Sequence, residues 1–164
     1  MKILFEGQSL LSPLTGVKRV TSTMLRCLDQ SDEIEHIQVF VCVFRFGNYW
    51  QKSIDTLRQI DISPKVRFSH IPLPLGMLMN SWNRFHYPPV DLFFRNYDLV
   101  VGLAHLLPPH KSIPSVFMIH DTSLLDHPEW YPATAKPYRQ QILNGFKKAD
   151  AILVPSNYVK CKLR

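Results

Sequence analysis

The sequence predicts an α/β fold: a Rossmann-like, doubly wound three-layer sandwich in which helices cover both faces of a mainly parallel sheet. Three observations predict it. Short apolar runs rich in β-branched residues recur along the chain, segments with helical spacing of apolar residues separate them, and turn formers lie between the two. A length of 164 residues, with 46% hydrophobic and 20% charged residues, suits one domain spanning 1–164.

The first third of the chain shows this alternation twice. Residues 2–6 (KILFE) form an apolar run, and the turn formers of 12–16 (SPLTG) follow, which predicts a strand and then a loop. Residues 37–44 (IQVFVCVF) are almost all apolar, as in a strand covered on both faces. Two helices are predicted from apolar stripes: Val17, Val20, Met24, Leu25 and Leu28 for the first, and Trp50, Ile54 and Leu57 for the second.

The middle of the chain continues the pattern. Residues 65–72 (KVRFSHIP) alternate like a strand, and the stretch 73–89, bracketed by prolines, predicts one helix. The runs 97–104 (YDLVVGLA) and 115–120 (SVFMIH) predict two central strands joined by a proline-rich loop.

The last part of the chain adds a helix, a strand and the start of another helix. A helix over 135–149 is predicted from the stripe Tyr138, Ile142, Leu143, Phe146 and Ala149. Residues 150–156 (DAILVPS) predict a strand, and a helix beginning at Tyr158 follows, with Ser156 or Asn157 as its cap.

Composition excludes several classes of protein. No apolar stretch approaches the ~20 residues needed to cross a bilayer, and residues 1–6 lack the apolar segment of a signal peptide, so a cytoplasmic protein is expected. The three scattered cysteines form no paired motif and indicate neither a disulfide framework nor a zinc site. A net charge of +6 favours an anionic partner, but no nucleic-acid-binding motif concentrates the basic residues, so no nucleic acid is expected.

His120 and Asp121 directly follow the apolar run 116–119, and open parallel sheets bind ligands beyond the carboxyl ends of their strands. Gly16 is predicted at the same edge, just before a helix, where a backbone N–H group can approach an anion. The residues alone leave two structural alternatives open: a strand-end histidine paired with backbone, and a simple turn at Gly16.

Other chemistries lack their motifs. The sequence contains no G-x-G-x-x-G dinucleotide loop, no G-x-x-x-x-G-K-[ST] phosphate loop and no G-x-S-x-G nucleophile elbow. His120 with His127, and His105 with His110, lack both the i, i+4 spacing of a helical zinc site and a third ligand. No metal is therefore expected.

Several linked motifs carry a more specific signal. DLVVGLAHLLPP, PSVFMIHDTSLLDHPEWYP and YRQQILNGFKKADAILVPSNYVKCKL follow one another over 98–163, and GQSLLSPLTGVKRVTSTMLRCL lies near the front of the chain. In order and spacing they resemble the N-terminal domain of a family 4 ("group 1") retaining glycosyltransferase, which forms one half of the GT-B architecture. The likeness covers nearly the whole chain.

This resemblance implies transfer of a sugar from a nucleotide-sugar donor to a glycan or lipid-linked acceptor, with the donor's anomeric configuration retained. The process it implies is polysaccharide or envelope glycan synthesis. It implies no other cofactor. His120 matches the family's site histidine, which orients the transferring sugar, and Gly16 with Val17 matches the loop that approaches the donor diphosphate. The acceptor-side candidates are Asp121, Trp130, Tyr138 and Arg139, although packing beneath the loop is an equal alternative for Trp130.

Two departures from the family pattern affect these roles. Lys18 stands where many relatives have a second glycine, which adds a side chain near the donor loop, and Val101 replaces a common histidine. The resemblance also implies a second, donor-binding C-terminal domain, which residues 1–164 do not contain, so the isolated chain is expected to be inactive without that domain or a partner subunit.

The alternative is a non-catalytic, glycosyltransferase-like module that docks a partner subunit or an anionic membrane surface. In the second case the module would bind peripherally at the inner face of the membrane. Its basis is a set of basic residues near the end of the chain: Lys147, Lys148, Lys160, Lys162 and Arg164. A solvated helix face explains the same charges.

Overall fold

A computed structural model of the chain describes residues 1–12, 15–43 and 48–163, without the side chains of residues 48–50, 52 and 54. Six residues used in the sequence-based predictions lie outside this description: Pro13, Leu14, Phe44 and Arg164 entirely, and Trp50 and Ile54 in their side chains.

The described residues form one six-stranded sheet in which every pairing is parallel. Its strands are β1 (Lys2–Glu6), β2 (His36–Cys42), β3 (Val66–Ile71), β4 (Leu99–Gly102), β5 (Ser115–Met118) and β6 (Ala151–Leu153). The spatial order is β3-β2-β1-β4-β5-β6, so the strand order reverses between β1 and β4. The predicted Rossmann-like sandwich is confirmed, and both strands predicted as central, β4 and β5, lie inside the sheet.

Six α-helices connect these strands within the described part of the chain. They are α1 (Gly16–Asp29), α2 (Asn48–Arg58), α3 (Leu75–Phe85), α4 (Ser123–Asp126), α5 (Lys136–Lys148) and α6 (Asn157–Lys162). Ser156 is the cap of α6, because its hydroxyl accepts the Val159 N–H at 3.3 Å. The short helix α4 was not predicted, since four residues are too few to show a helical period.

Two hydrophobic cores lie on opposite faces of the sheet, because successive side chains of a strand point to opposite sides. Ile3 and Phe5 of β1 belong to the core that includes Leu25 of α1. Leu4 of the same strand belongs to the other core, which includes Ile142 of α5. All five of these side chains are fully buried. Helices therefore cover both faces, as a doubly wound fold requires.

Helix α5 packs directly against the strand that leads to His120. A Cβ added at Gly145 of α5 would lie 2.6 Å from a ring atom of Phe117, which is fully buried in β5. This close approach fixes the position of α5 beside β5, and with it the place where the first turn of the helix meets the carboxyl edge of the sheet.

Strand β6 forms one border of the sheet, and its side chains are less buried than those of the inner strands. No helix among the described residues is long and apolar enough to cross a membrane.

Candidate active site

The carboxyl ends of β1, β4 and β5 define the candidate site. These three strands are neighbours, and the order of the sheet reverses between the first two. In open α/β sheets this reversal creates a crevice, since the loops leaving the two strands turn to opposite faces. The loop that leads to Gly16 leaves β1, and the segment that begins with His120 leaves β5.

His120 stands at the edge predicted for it. It follows Ile119, which is fully buried and whose N–H donates to the carbonyl of Leu153 at 2.9 Å. The imidazole is partly exposed, but its Nε2 is buried and has no hydrogen-bond partner among the described residues. The alternative of a histidine satisfied by backbone is therefore not supported for this nitrogen.

Electrostatics around His120 favour the neutral imidazole. Desolvation by burial lowers the pKa of His120, and the nearby Asp121 carboxylate opposes this shift only in part. A neutral imidazole offers one N–H donor and one acceptor nitrogen, so it can pair with a hydroxyl group in either direction.

Asp121 is exposed and is held by the start of α4. Its carboxylate accepts the Ser123 N–H at 2.8 Å and also the Ser123 hydroxyl, which lies 2.5 Å from the Tyr131 hydroxyl. Burial raises the pKa of Asp121, but the hydrogen bonds from Ser123 and the two nearby histidines outweigh it, so the pKa lies below its usual value. Asp121 is therefore an oriented carboxylate and not a proton donor.

His105 is a site residue that the sequence analysis missed. Its ring lies edge-on to the His120 ring, with 6.3 Å between the centroids, and its Nδ1 is also buried without a hydrogen-bond partner in the described part of the chain. Burial lowers its pKa, Asp121 raises it, and His120 lowers it again. Its position after β4, the neighbour of β5, was the signal that could have found it, because carboxyl ends of adjacent parallel strands lie together. His110, the partner considered for it, instead lines a separate cavity before the start of β5.

The turn that carries His105 is unusually tight. Ala104 and His105 have φ angles of 52° and 73°, in the left-handed region. A Cβ at Gly102 would lie only 2.7 Å from the Leu106 carbonyl oxygen, so the turn folds back onto the end of β4 at a place where glycine is required. Val101, which replaces the common histidine, is buried inside β4.

Glu6, the last residue of β1, is a second residue that the sequence analysis missed. Its side chain is buried, and its carboxyl group accepts the N–H groups of Gln8 and Leu103, while Oε2 has no hydrogen-bond partner among the residues that the structure describes. Desolvation raises the pKa of Glu6 to about 8, against the lowering effect of these hydrogen bonds. A buried carboxyl group that is protonated at neutral pH thus ties the end of β1 to the turn after β4.

Gly16 opens α1 at the carboxyl edge of the sheet. Thr15 caps the helix, since its hydroxyl accepts the Lys18 N–H at 3.2 Å. Gly16 is exposed, and a Cβ there would meet no atom of the described residues within 4 Å. Lys18 does add a side chain beside this loop, but its Nζ is turned back and donates to the Ser12 carbonyl at 3.0 Å. The backbone of Gly16 and Val17 is therefore the part of the loop open to a ligand.

Trp130 is not packed beneath the loop, and that alternative is wrong. The residue is 68% exposed, and its ring stacks on His127 with 4.0 Å between centroids and 9° between planes. The stacked pair presents an apolar face to solvent next to the segment that carries His120.

Tyr138 and Arg139 lie in the first turns of α5, which begins at the carboxyl edge of the sheet. Tyr138 is 37% exposed. Arg139 is partly exposed, and its Nε is buried with no partner in the described part of the chain. Within the described ranges, no hydrogen bond, ion pair or ring contact joins either residue to His120, so a shared ligand would have to bridge them.

The basic residues near the end of the chain do not form one patch. Lys147 and Lys148 end α5, whereas Lys160 and Lys162 lie on α6, which follows the opposite end of β6. Lys162 also lies 3.9 Å from the Asp126 carboxylate. Solvated helix faces explain these charges better than a single docking surface. Within the described ranges, no group of three or more His, Cys, Asp or Glu residues is arranged to hold a metal ion.

Comparison with known proteins places this geometry in a family. The sequence model described as Glycosyltransferase Family 4 matches residues 14–164. The chain belongs to glycosyltransferase family 4. The resemblance seen in the sequence motifs is confirmed, and the six-stranded parallel sheet is consistent with one half of a GT-B architecture.

One curated relative of this family 4 domain is the O-antigen chain mannosyltransferase B of Escherichia coli. It is 23% identical over 171 aligned positions, which cover 99% of this chain and 43% of the relative. The family 4 domain described here thus spans less than half the length of that relative. No solved structure gives a significant match to the chain.

Proposed function

We propose that this chain is the N-terminal, acceptor-side half of a retaining glycosyltransferase that acts in polysaccharide or envelope glycan synthesis. The observation that carries the proposal is the placement of His120 and Asp121 at the same sheet edge as the Gly16 loop, in a chain that belongs to family 4. The similarity to an O-antigen chain mannosyltransferase favours mannose as the transferred sugar.

The Gly16 loop is suited to the donor diphosphate. The N–H groups of Gly16 and Val17 open α1 and have no acceptor within the helix, and the first turn contains no acidic residue. The positive end of the helix dipole favours a negative charge at this position. As the bond between the sugar and the diphosphate breaks, these N–H groups stabilise the charge that develops on the departing phosphate.

His120 orients the transferring sugar. Its neutral imidazole hydrogen-bonds a sugar hydroxyl, while the anomeric carbon exchanges its bond to the phosphate oxygen for a bond to an acceptor oxygen, whose proton leaves with the diphosphate or solvent. Asp121, Trp130, Tyr138 and Arg139 form the acceptor side. Trp130 supplies an exposed aromatic face of the kind on which sugar rings stack.

Activity on this proposal requires a donor-binding domain in addition to residues 1–164, in the same polypeptide or in a partner. The co-substrate is a nucleotide sugar, and neither a metal nor another cofactor takes part. The site works in the cytoplasm, and contact with the inner face of the membrane would bring it to a lipid-linked acceptor.

The experiment measures transfer of labelled mannose from a nucleoside diphosphate mannose to a lipid-linked glycan, with and without the donor-binding domain. We expect transfer only when that domain is present. His120→Asn should then lower kcat by at least about a hundredfold, a typical loss for a group that acts on the transition state.

His110→Asn is the matched control, because His110 lines a separate cavity before the start of β5 and should change the rate less than about threefold. Transfer by residues 1–164 alone would refute the need for a second domain. Equal rates for the two variants would refute the role of His120.

A further inference from the structure

Two imidazole nitrogens at the carboxyl edge lack a hydrogen-bond partner, Nδ1 of His105 and Nε2 of His120. Buried polar atoms in folded proteins are rarely unpaired, because each loses its contact with water without compensation. These two belong to neighbouring rings, 6.3 Å apart between centroids. The described residues thus leave the histidine pair with unused hydrogen-bonding capacity at one place.

The backbone that presents His105 is held in an unfavourable conformation. A φ of 73° is costly for a residue with a Cβ, and the preceding Ala104 has a φ of 52°. The turn is nevertheless fixed on two sides, by the close approach to Gly102 and by the bond from the Leu103 N–H to the Glu6 carboxyl group. Strain of this kind persists where the surrounding structure imposes it, and it concentrates at ligand sites.

The chemistry of the pair selects among ligands. Burial lowers the pKa of both histidines, so both are neutral near neutral pH, and each offers one donor and one acceptor. A hydroxyl group also offers both. The adjacent Asp121 carboxylate would repel a phosphate group. The pair therefore favours a neutral, hydroxyl-rich ligand over an anion.

We propose that His105 is a second sugar-binding residue, which together with His120 hydrogen-bonds hydroxyl groups of one saccharide above the carboxyl ends of β4 and β5. The inference rests on the proposed glycosyl transfer and adds a residue to it. Because β4 lies between β1 and β5, His105 stands on the side of His120 that faces the Gly16 loop. The saccharide is either the transferring sugar of the donor or the terminal sugar of the acceptor.

Histidine-ring NMR of the labelled chain, in the presence of the donor-binding domain, tests this directly. The probes are methyl α-mannopyranoside, a mannobiose as acceptor mimic, GDP-mannose as donor, and inorganic pyrophosphate as an anion without a sugar. We expect the ring resonances of both His105 and His120 to shift with the saccharides. A response to GDP-mannose stronger than that to mannobiose assigns the donor sugar, and the reverse assigns the acceptor sugar.

His105→Asn removes the imidazole while keeping a residue that tolerates the left-handed conformation, so the melting temperature should not fall. Saccharide affinity should drop about tenfold, as for the loss of one good hydrogen bond. His110→Asn is the matched control, a histidine of the same β4–β5 connection that lies outside the site, and it should leave affinity within about twofold.

A shift of the His120 ring alone, or unchanged affinity in His105→Asn, overturns this inference and leaves the proposed function intact. Equal shifts with pyrophosphate overturn it in favour of an anion site. No shift of either ring with any saccharide or with GDP-mannose counts against the proposed sugar site as a whole.

Discussion

Gly145 of α5 lies against the buried ring of Phe117 in β5 so closely that a Cβ would lie 2.6 Å from one ring carbon and 2.8 Å from another. The ring is fully buried. The helix that carries Tyr138 and Arg139 and the strand that leads to His120 are therefore held at one fixed separation.

Gly145→Ala should destabilise the protein by about 1–2 kcal/mol, because overpacking a core outweighs the higher helix propensity of alanine. Urea unfolding measures the loss. Gly76→Ala is the matched control in α3, where a Cβ would meet nothing within 4 Å, and it should be neutral or stabilising. Adding Phe117→Leu to Gly145→Ala should restore part of the loss. An unchanged midpoint in Gly145→Ala would contradict the packing described here.

Stability should fall as the pH rises from about 5 to about 8 because of Glu6. Its pKa is raised from 4.5 to about 8 in the folded chain, so the unfolded state ionises first and is stabilised over this interval. The slope from this one group is about 1.4 kcal/mol per pH unit at most. Urea unfolding at a series of pH values measures it.

Glu6→Gln should remove this slope and leave the variant more stable than the natural chain near pH 8, since the amide keeps an acceptor for the Gln8 and Leu103 N–H groups. Glu35→Gln, at a side chain that is 67% exposed, should keep the slope. If the stability of the natural chain does not decline relative to that of Glu6→Gln as the pH rises, the Glu6 carboxyl group is not buried in its neutral form.

Gly16→Ala should fold normally, because a Cβ at this position meets no other atom of the described chain. If the loop backbone contacts the donor, the added methyl group should raise the KM for the nucleotide sugar about tenfold or more, with a smaller effect on the acceptor KM. The assay contains the donor-binding domain. An unaltered donor KM together with an unaltered melting temperature would remove Gly16 from the donor site.

Trp130→Ala should change stability by less than about 1 kcal/mol, because the side chain is mostly exposed. It should weaken acceptor binding, as measured by the acceptor KM. Trp82→Ala is the contrasting control: this tryptophan is buried and its Nε1 donates to the Pro88 carbonyl at 2.9 Å, so about 3–5 kcal/mol should be lost. A large loss of stability in Trp130→Ala would point to packing instead of binding.

The sequence was sufficient to predict the sheet, because each strand is an apolar run with its own turn signals. It also placed His120 and Gly16 at one edge, since that follows from the direction of parallel strands. His105 and Glu6 could not be found in this way. Their importance comes from burial and from the fold of one turn, Leu103 to Leu106, whose left-handed residues are not the glycines or asparagines that mark such turns in a sequence.

The exposure of Trp130 was also beyond the sequence. From the sequence, Trp130 is equally compatible with packing and with binding, and its 68% exposure in the structure separates the two. Short elements such as α4 are not predicted from the sequence because local hydrogen bonds fix them, and not a repeating apolar stripe. In α4 the Thr122 hydroxyl donates to the Asp126 carboxylate at 2.8 Å.

The two hydrophobic cores support different helices of the candidate site. Helix α1, which begins at Gly16, rests on one face of the sheet, and α5, which begins near Tyr138 and Arg139, rests on the other. If the two sides bind acceptor and donor as proposed, substitutions in the layer beneath α5 would alter acceptor preference and leave the contact of the Gly16 loop with the donor diphosphate unchanged. Acceptor preference would then diverge during evolution independently of donor use.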